Sequence, residues 1–413
     1  MRKASLGTIF LTVFLDLLGF GLVVPYLPGV ARDHGASPFV ATLLGAVYSA
    51  MQFLFVPFWG HLSDRAGRRP ILLGSIAASA VGMAALGTVE SLAGLFVARA
   101  FVGVATANLA VAAAYIADVT RPEERSRGMG IIGAAIGLGF VLGPVIGGLL
   151  QAYSPIDRVG AMPAYAAAGL SAVNFVLAAR FLPESLAAER RGKHVRSASP
   201  FDARRFRAAF ATGGIPAAVL VQFVVVLSFS GLEQTFRLFT ADAFGLGTKE
   251  TGYILGVVGL VLIGVQGGLM RPLARVTSER ALVRTGVLVE AVGFFGVAMS
   301  PVILGGSRPA LVAGMAVIAL GSGLVNPSLS ALVSRLGATD GQGSVLGVLQ
   351  SAGALARVFG PAAGGMLYQS FGPRAPYAAA AGGMLLAACV SLALRKPAPR
   401  ESGPVAAQPA GTA

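Results

Sequence analysis

Charge is scarce in this chain. Only 12% of its 413 residues are Asp, Glu, Lys or Arg, about half the share an aqueous globular protein carries. That shortage argues against a soluble enzyme and against a nucleic-acid-binding domain, although Lys and Arg outnumber Asp and Glu by 32 to 18. Cysteine is scarcer still. Cys389 stands alone, which excludes an intramolecular disulfide and leaves packing as its role. The three histidines, His34, His61 and His194, fall in polar segments between apolar runs. With so few ligand-type side chains, neither a metal site nor a catalytic constellation is expected. A Gly-x-x-x-x-Gly-Lys-Ser/Thr loop is also absent, which excludes ATP as the driving cofactor, and no other cofactor is implied.

What the chain has in abundance is apolar runs. Hydrophobic residues make up 55% of it, in stretches of about 20 residues, the length that spans a bilayer as helix. Twelve spans are expected, at about 6–30, 39–60, 71–89, 92–117, 128–151, 161–182, 213–240, 250–271, 281–303, 308–333, 344–370 and 373–394. The fold class is therefore an all-α integral membrane protein. Of the 32 Lys and Arg, 24 lie on the segments that share a side with the N-terminus. That bias places both termini in the cytoplasm, at the inner (plasma) membrane. It also accounts for the basic character without any nucleic-acid partner. Met1-Arg2-Lys3 opens like a signal peptide, but the following run is too long and contains Asp16, so an uncleaved first helix is expected.

The longest polar stretch divides the spans six and six. The expected organisation is a six-helix bundle over 1–182, a cytoplasmic linker over 183–212, a second bundle over 213–396 and a disordered tail over 397–413. The linker carries Arg190-Arg191-Gly192-Lys193 and Arg204-Arg205-Phe206-Arg207. The halves repeat one another. Gly143-Pro144-x-x-Gly147-Gly148 recurs as Gly360-Pro361-x-x-Gly364-Gly365, and Gly130 and Gly347 share the same offset. Two pseudo-symmetric six-helix bundles with a substrate site near the midplane follow from such a duplication. Glycines four apart, as Gly139, Gly143 and Gly147 are, let helix backbones approach closely; Gly133 and Gly137 begin a second stripe.

Between the second and third spans, Gly60-x-Leu62-Ser63-Asp64-Arg65-x-Gly67-Arg68-Arg69 concentrates four charges in six residues, expected as a tight loop at a membrane surface. This pattern resembles the signature loop of major facilitator superfamily transporters. Leu15-Asp16-Leu17-Leu18-Gly19-Phe20-Gly21, Pro25-Tyr26-Leu27-Pro28, Arg99 with Gly103, Ala114-Tyr115-Ile116-Ala117-Asp118-Val119-Thr120 and Leu182-Pro183-Glu184-Ser185 extend the likeness. Over about residues 8–185 the chain is most similar to drug:proton antiporters of the bacterial tetracycline type. It departs from them in lacking an acid in the third span around Gly82, and the second half matches only loosely. The resemblance implies proton-coupled export of amphipathic organic compounds by alternating access. A proton-coupled carrier of sugars, amino acids or other metabolites is the alternative on the same fold. It also implies a latch in which Asp64 and the arginines contact Asp118 in the outward-facing state and release in the inward-facing one, and a bendable seam between the halves along Gly139, Gly143, Pro144, Gly147 and Gly148. The lipid bilayer, protons and a small molecule are the expected partners of a monomer.

Ionisable groups inside spans are costly unless paired, protonated or hydrated, so they are functional candidates. They are Asp16, Arg99, Glu233, Arg237, Glu290 and Arg357. Arg99 has no acid one turn away, and Asp16 is its simplest partner. Glu233 and Arg237 stand in the favourable i, i+4 order, which allows them to neutralise each other within one helix. Glu290 has no cation within a turn; burial favours its neutral form, which suits a proton carrier. Arg357 faces the bundle, with three partners open to it: an anionic substrate group, Glu290 or Glu233. Asn108, Gln222, Asn326 and Gln350 are further candidates for the cavity wall.

Overall fold

The computed structural model describes residues 6–120, 142–151, 160–186, 213–336 and 342–395, with positions 135, 138, 139 and 210 besides. The linker arginines, the stripe of Gly133 and Gly137, Gly130, His194 and the tail lie outside the described residues. The helices are α1 (Leu6–Asp33), α2 (Pro38–Ala66), α3 (Arg68–Thr88), α4 (Leu92–Val119), α5 (Leu142–Gln151), α6 (Ala161–Phe181), α7 (Ile215–Phe244), α8 (Thr248–Val276), α9 (Glu279–Met299), α10 (Arg308–Leu336), α11 (Gln342–Phe371) and α12 (Ala375–Ser391). Among the described residues ten are long and apolar enough to cross a membrane, and the described parts of α5 and α12 are shorter. Their outer faces carry bare hydrocarbon. Val97, Leu260 and Val292 are 66–71% exposed, which suits lipid rather than water. The protein is a multi-pass, all-helical membrane protein.

Local chemistry sets the helix ends. Ser37 caps α2 by accepting from Val40 N, followed by Pro38 in the first turn, and Ser91 and Ser278 cap α4 and α9 in the same way. The expected loop between the second and third spans shrinks to one residue. α2 continues to Ala66, and Gly67, at φ 103°, turns the chain directly into α3. Only glycine adopts that backbone cheaply. The charged residues therefore ride on two helix ends, and the reading of a loop is corrected. Prolines interrupt the helix ladders of α2 (Pro57), α10 (Pro327) and α11 (Pro361).

Helix directions alternate, so each end of the bundle collects defined segments. One end holds the junction of α2 with α3, the end of α4 and the starts of α7 and α11. The opposite end holds the end of α1, the start of α2 and the ends of α7 and α11. Packing is tightest where glycines let backbones meet. α9 and α10 touch along Gly286, Gly293, Gly314 and Gly321. α2 and α11 also pack closely, and they join the first half of the chain to the second.

Candidate functional site

A cavity of about 950 Å³ lies between the halves. Its walls come from α2 (Ser49 to Pro57), the middle of α4 (Thr106 to Ala110), the start of α7 (Pro216 to Phe223) and the first half of α11 (Val348 to Arg357), with Phe210. All of these lie between the middle of the bundle and the end that carries Gly67, so the cavity faces that end. Its wall is mostly apolar. Gln52, Gln350, Ser351 and Arg357 supply polar groups, and Arg357 is the single charged residue on it among the described residues.

Arg357 is exposed to the cavity although it lies midway along α11. Glu233 and Tyr48 act on it electrostatically, but no ion pair or hydrogen bond joins it to a described residue. Glu233 is half-buried and feels both Arg357 and Arg99. Arg99 is wholly buried, with its guanidinium carbon 4.3 Å from the ring centre of Tyr48 and 5.8 Å from that of Phe20. Such stacking stabilises a desolvated cation. Its Nε and Nη1 have no hydrogen-bond partner. Tyr48 is held in turn by Thr106 (2.8 Å) and by Gln52, whose Nε2 donates to its hydroxyl at 3.2 Å.

Several expected pairings are corrected. Asp16 and Arg99 form no ion pair. Asp16 instead lies within hydrogen-bonding reach of Asn108, and its Oδ1 is buried without a partner. Asn108 is buried and donates to Ser75 at 2.6 Å, so it does not line the cavity. Glu233 and Arg237 form no ion pair either. Arg237 reaches along the helix to donate to the Leu246 carbonyl at 3.2 Å, toward Asp33, Asp242 and Glu250. Glu290 does not meet Arg357. It is buried between α9 and α10, accepts from Ser322 at 2.5 Å, and leaves Oε2 without a partner. Gln350 lines the cavity; Gln222 packs beside Gly353, and Asn326 donates to Ser322 O.

At the Gly67 end, Arg68 is the hub. It meets Asp64 at 2.6 Å, Asp118 at 3.2 Å and Ser63 Oγ at 2.6 Å. Glu184 caps α3, accepting from the amides of Arg68 (2.9 Å) and Arg69 (3.2 Å) at its start. Arg69 donates to Ala179 O at 2.6 Å. Arg65 is exposed, and Gly60 has open space where a side chain would project. Every partner given for Asp64, Arg68 and Arg69 lies in the first half of the chain.

The glycine stripe is also relocated. A side chain on Gly139, Gly143 or Gly147 would strike the backbone of Leu17, Gly21 or Leu22 in α1, so the stripe packs inside the first half and not between the halves. Gly148 alone of these reaches the second half, at Gly252 of α8. Tyr26 of α1 donates to the Pro144 carbonyl and fixes the pair. The repeat behaves alike: Gly360 and Gly364 pack on Leu227 and Gly231 of α7, while Gly365 meets Thr42 of α2.

The opposite end holds contacts the sequence did not single out. Arg32 donates to both Asp242 oxygens at 2.7 Å, Tyr368 donates to the same carboxylate at 2.7 Å, and Phe39 N donates to Gln369 Oε1 at 3.2 Å. The Arg32–Asp242 and Phe39–Gln369 contacts join the first half to the second, while Tyr368 braces Asp242 from within the second half. Opposite charges at the ends of the first and seventh spans were the available signal, but loop charges ordinarily read as solvated.

With this geometry in place, comparison with known proteins adds kinship. A family model described as Major Facilitator Superfamily matches residues 9–357 and 265–413. The class C tetracycline resistance protein of Escherichia coli is 34% identical over 353 residues, 85% of this chain and 86% of that protein. Major facilitator superfamily domain-containing protein 10 of Homo sapiens is 30% identical over 432 residues, 93% and 92% of the two chains. The crystal structure of the human organic anion transporter MFSD10 (TETRAN) is similar with a TM-score of 0.70 at 29% identity, covering 94% of this chain and 98% of that one.

Proposed function

The chain belongs to the major facilitator superfamily, and on that premise we propose that it exports amphipathic organic compounds in exchange for protons. The observation that carries this reading is the cavity: open toward the Gly67 end and closed at the other by Arg32, Asp242, Tyr368, Phe39 and Gln369. A cavity reachable from one side at a time is what alternating access requires. In this reading the structure is the inward-facing state of a monomer in the inner (plasma) membrane, with both termini cytoplasmic. Twelve spans form two six-helix bundles, 1–182 and 213–396, joined by the linker 183–212. The matched contacts of Gly147 with Leu22 and of Gly364 with Gly231 support the duplication. A carrier of sugars, amino acids or other metabolites is the alternative.

The Arg68 hub fastens the ends of α2, α3 and α4 into one block. That block is proposed to engage the second half when the cavity closes inward; the Arg68–Asp118 contact, expected to break in the inward-facing state, is formed here. Glycines at Gly143 and Gly147 make α1 and α5 move as a unit. The proton-exchanging acids are proposed to be Asp16, Glu233 and Glu290, with Arg99, Arg237 and Arg357 setting the local field. Of the three acids, Glu233 is nearest the cavity charge. Names of relatives point to two cargoes, tetracyclines and organic anions. The direct test is a substrate screen in an efflux-deficient host. Protonophore-sensitive loss of an amphipathic compound is expected. Accumulation driven inward by the proton gradient would instead establish the importer alternative.

A further inference from the structure

Of the cations proposed above to set the field around the proton-exchanging acids, Arg357 alone stands on the cavity wall. A guanidinium within a span costs several kcal/mol unless it is paired or hydrated. Arg357 has neither an ion pair nor a hydrogen bond to a described residue, and it opens onto the cavity. The acid beside it, Glu233, is shared with Arg99, so one carboxylate faces two guanidiniums. Asp16 does not redress this, because it acts on Tyr48 and is held by Asn108. Arg99 is out of reach of any ligand, buried under Tyr48 and Phe20. The unanswered charge is therefore presented by Arg357.

We infer that this cavity selects amphipathic organic anions, with the acidic group of the substrate docked on the Arg357 guanidinium and its apolar body against Phe53, Leu220, Phe223 and Leu355. A guanidinium receives a carboxylate or sulfonate through paired N–H donors, a geometry other cations do not offer. Around it the wall is hydrocarbon, which holds the rest of such a molecule. A cationic drug would bring its charge against Arg357 with no acid on the wall to answer it, and like charge rejects a wrong partner. The inference rests on the transporter reading, but it can fail separately.

The test is fluorescence binding to the full chain in nanodiscs with three probes of similar size: N-dansylglycine (anion), its methyl ester (neutral) and dansylethylenediamine (cation). The anion should bind about ten-fold or more tightly than either of the others, since charge-assisted pairing is the stronger kind. Arg357→Gln should weaken the anion by about ten-fold while leaving the ester within about two-fold. Gln350→Glu, an exposed change on the same wall, should weaken the anion and strengthen the cation, and it decides the matter if the Arg357 variant does not fold. Equal binding of all three probes, or tighter binding of the cation, overturns the inference. Cells that expel only cations in a protonophore-sensitive way would leave the transporter reading standing and sink this one. Cells that expel nothing would sink the transporter reading instead.

Discussion

The two ends of this bundle are held by different kinds of contact. At the Gly67 end, Asp64, Arg68, Asp118 and Glu184 knit the first half to itself, and the cavity lies open beside them. At the other end, Arg32 with Asp242 and Phe39 with Gln369 stitch one half to the other, and the cavity stops short of them. Contacts within a half survive when the halves rock; contacts across halves have to break. The difference between the ends identifies which interactions belong to the rigid body and which to the conformational state.

The sharpest way to break that division is to attack the rigid body. Gly147→Leu places a large side chain on the backbone of Leu22. Overpacking of this kind costs about 1–3 kcal/mol even where side chains give way, and here backbone must move. Loss of most folded protein in size-exclusion chromatography is expected, with transport lost accordingly. A folded protein trapped in one state would return the stripe to the role of a seam between halves.

Asp64→Asn removes one arm of the Arg68 hub without touching the core. Folding should stay near normal while transport slows by about ten-fold or more, because the hub that presents this block to the second half when the cavity closes inward is loosened. Transport at the normal rate would mean that the hub has no part in the cycle. Glu184→Gln is the mildest change. The cap on α3 keeps one acceptor oxygen but loses the other and its charge, so a loss of about 0.5–2 kcal/mol is expected, seen as a small drop in melting temperature with transport retained.

Helix positions were largely legible, because the length and apolarity of the runs encode them. Junction geometry was less so: α2, α7 and α8 run past the expected ends at 60, 240 and 271, to Ala66, Phe244 and Val276. Pairings inside the site were mostly illegible. The i, i+4 rule describes an isolated helix, and it assigned Arg237 to Glu233; the long side chain instead reaches the helix-end carbonyl of Leu246. Arg99 seemed to need an acid, yet it found the faces of Tyr48 and Phe20. Glycine spacing announced a close approach but could not say which helix approaches. Arg32 and Asp242 are 210 residues apart in sequence, and only the fold brings them together.

The account rests on the claim that opening one end closes the other, and thiol labelling at both ends tests it most directly. In a Cys389→Ala background, Gln350→Cys places a reporter on the cavity wall, and vesicles of each orientation are treated with a membrane-impermeant thiol reagent. Labelling from the cytoplasmic face should be fast in this protein and labelling from the outside slow. Adding Asp242→Asn, which weakens the acceptor for both Arg32 and Tyr368, should raise outside labelling several-fold and lower inside labelling in step, since weakening one state's contacts shifts population to the other. Outside labelling that rises while inside labelling stays unchanged would contradict the account, because the two ends would then open independently.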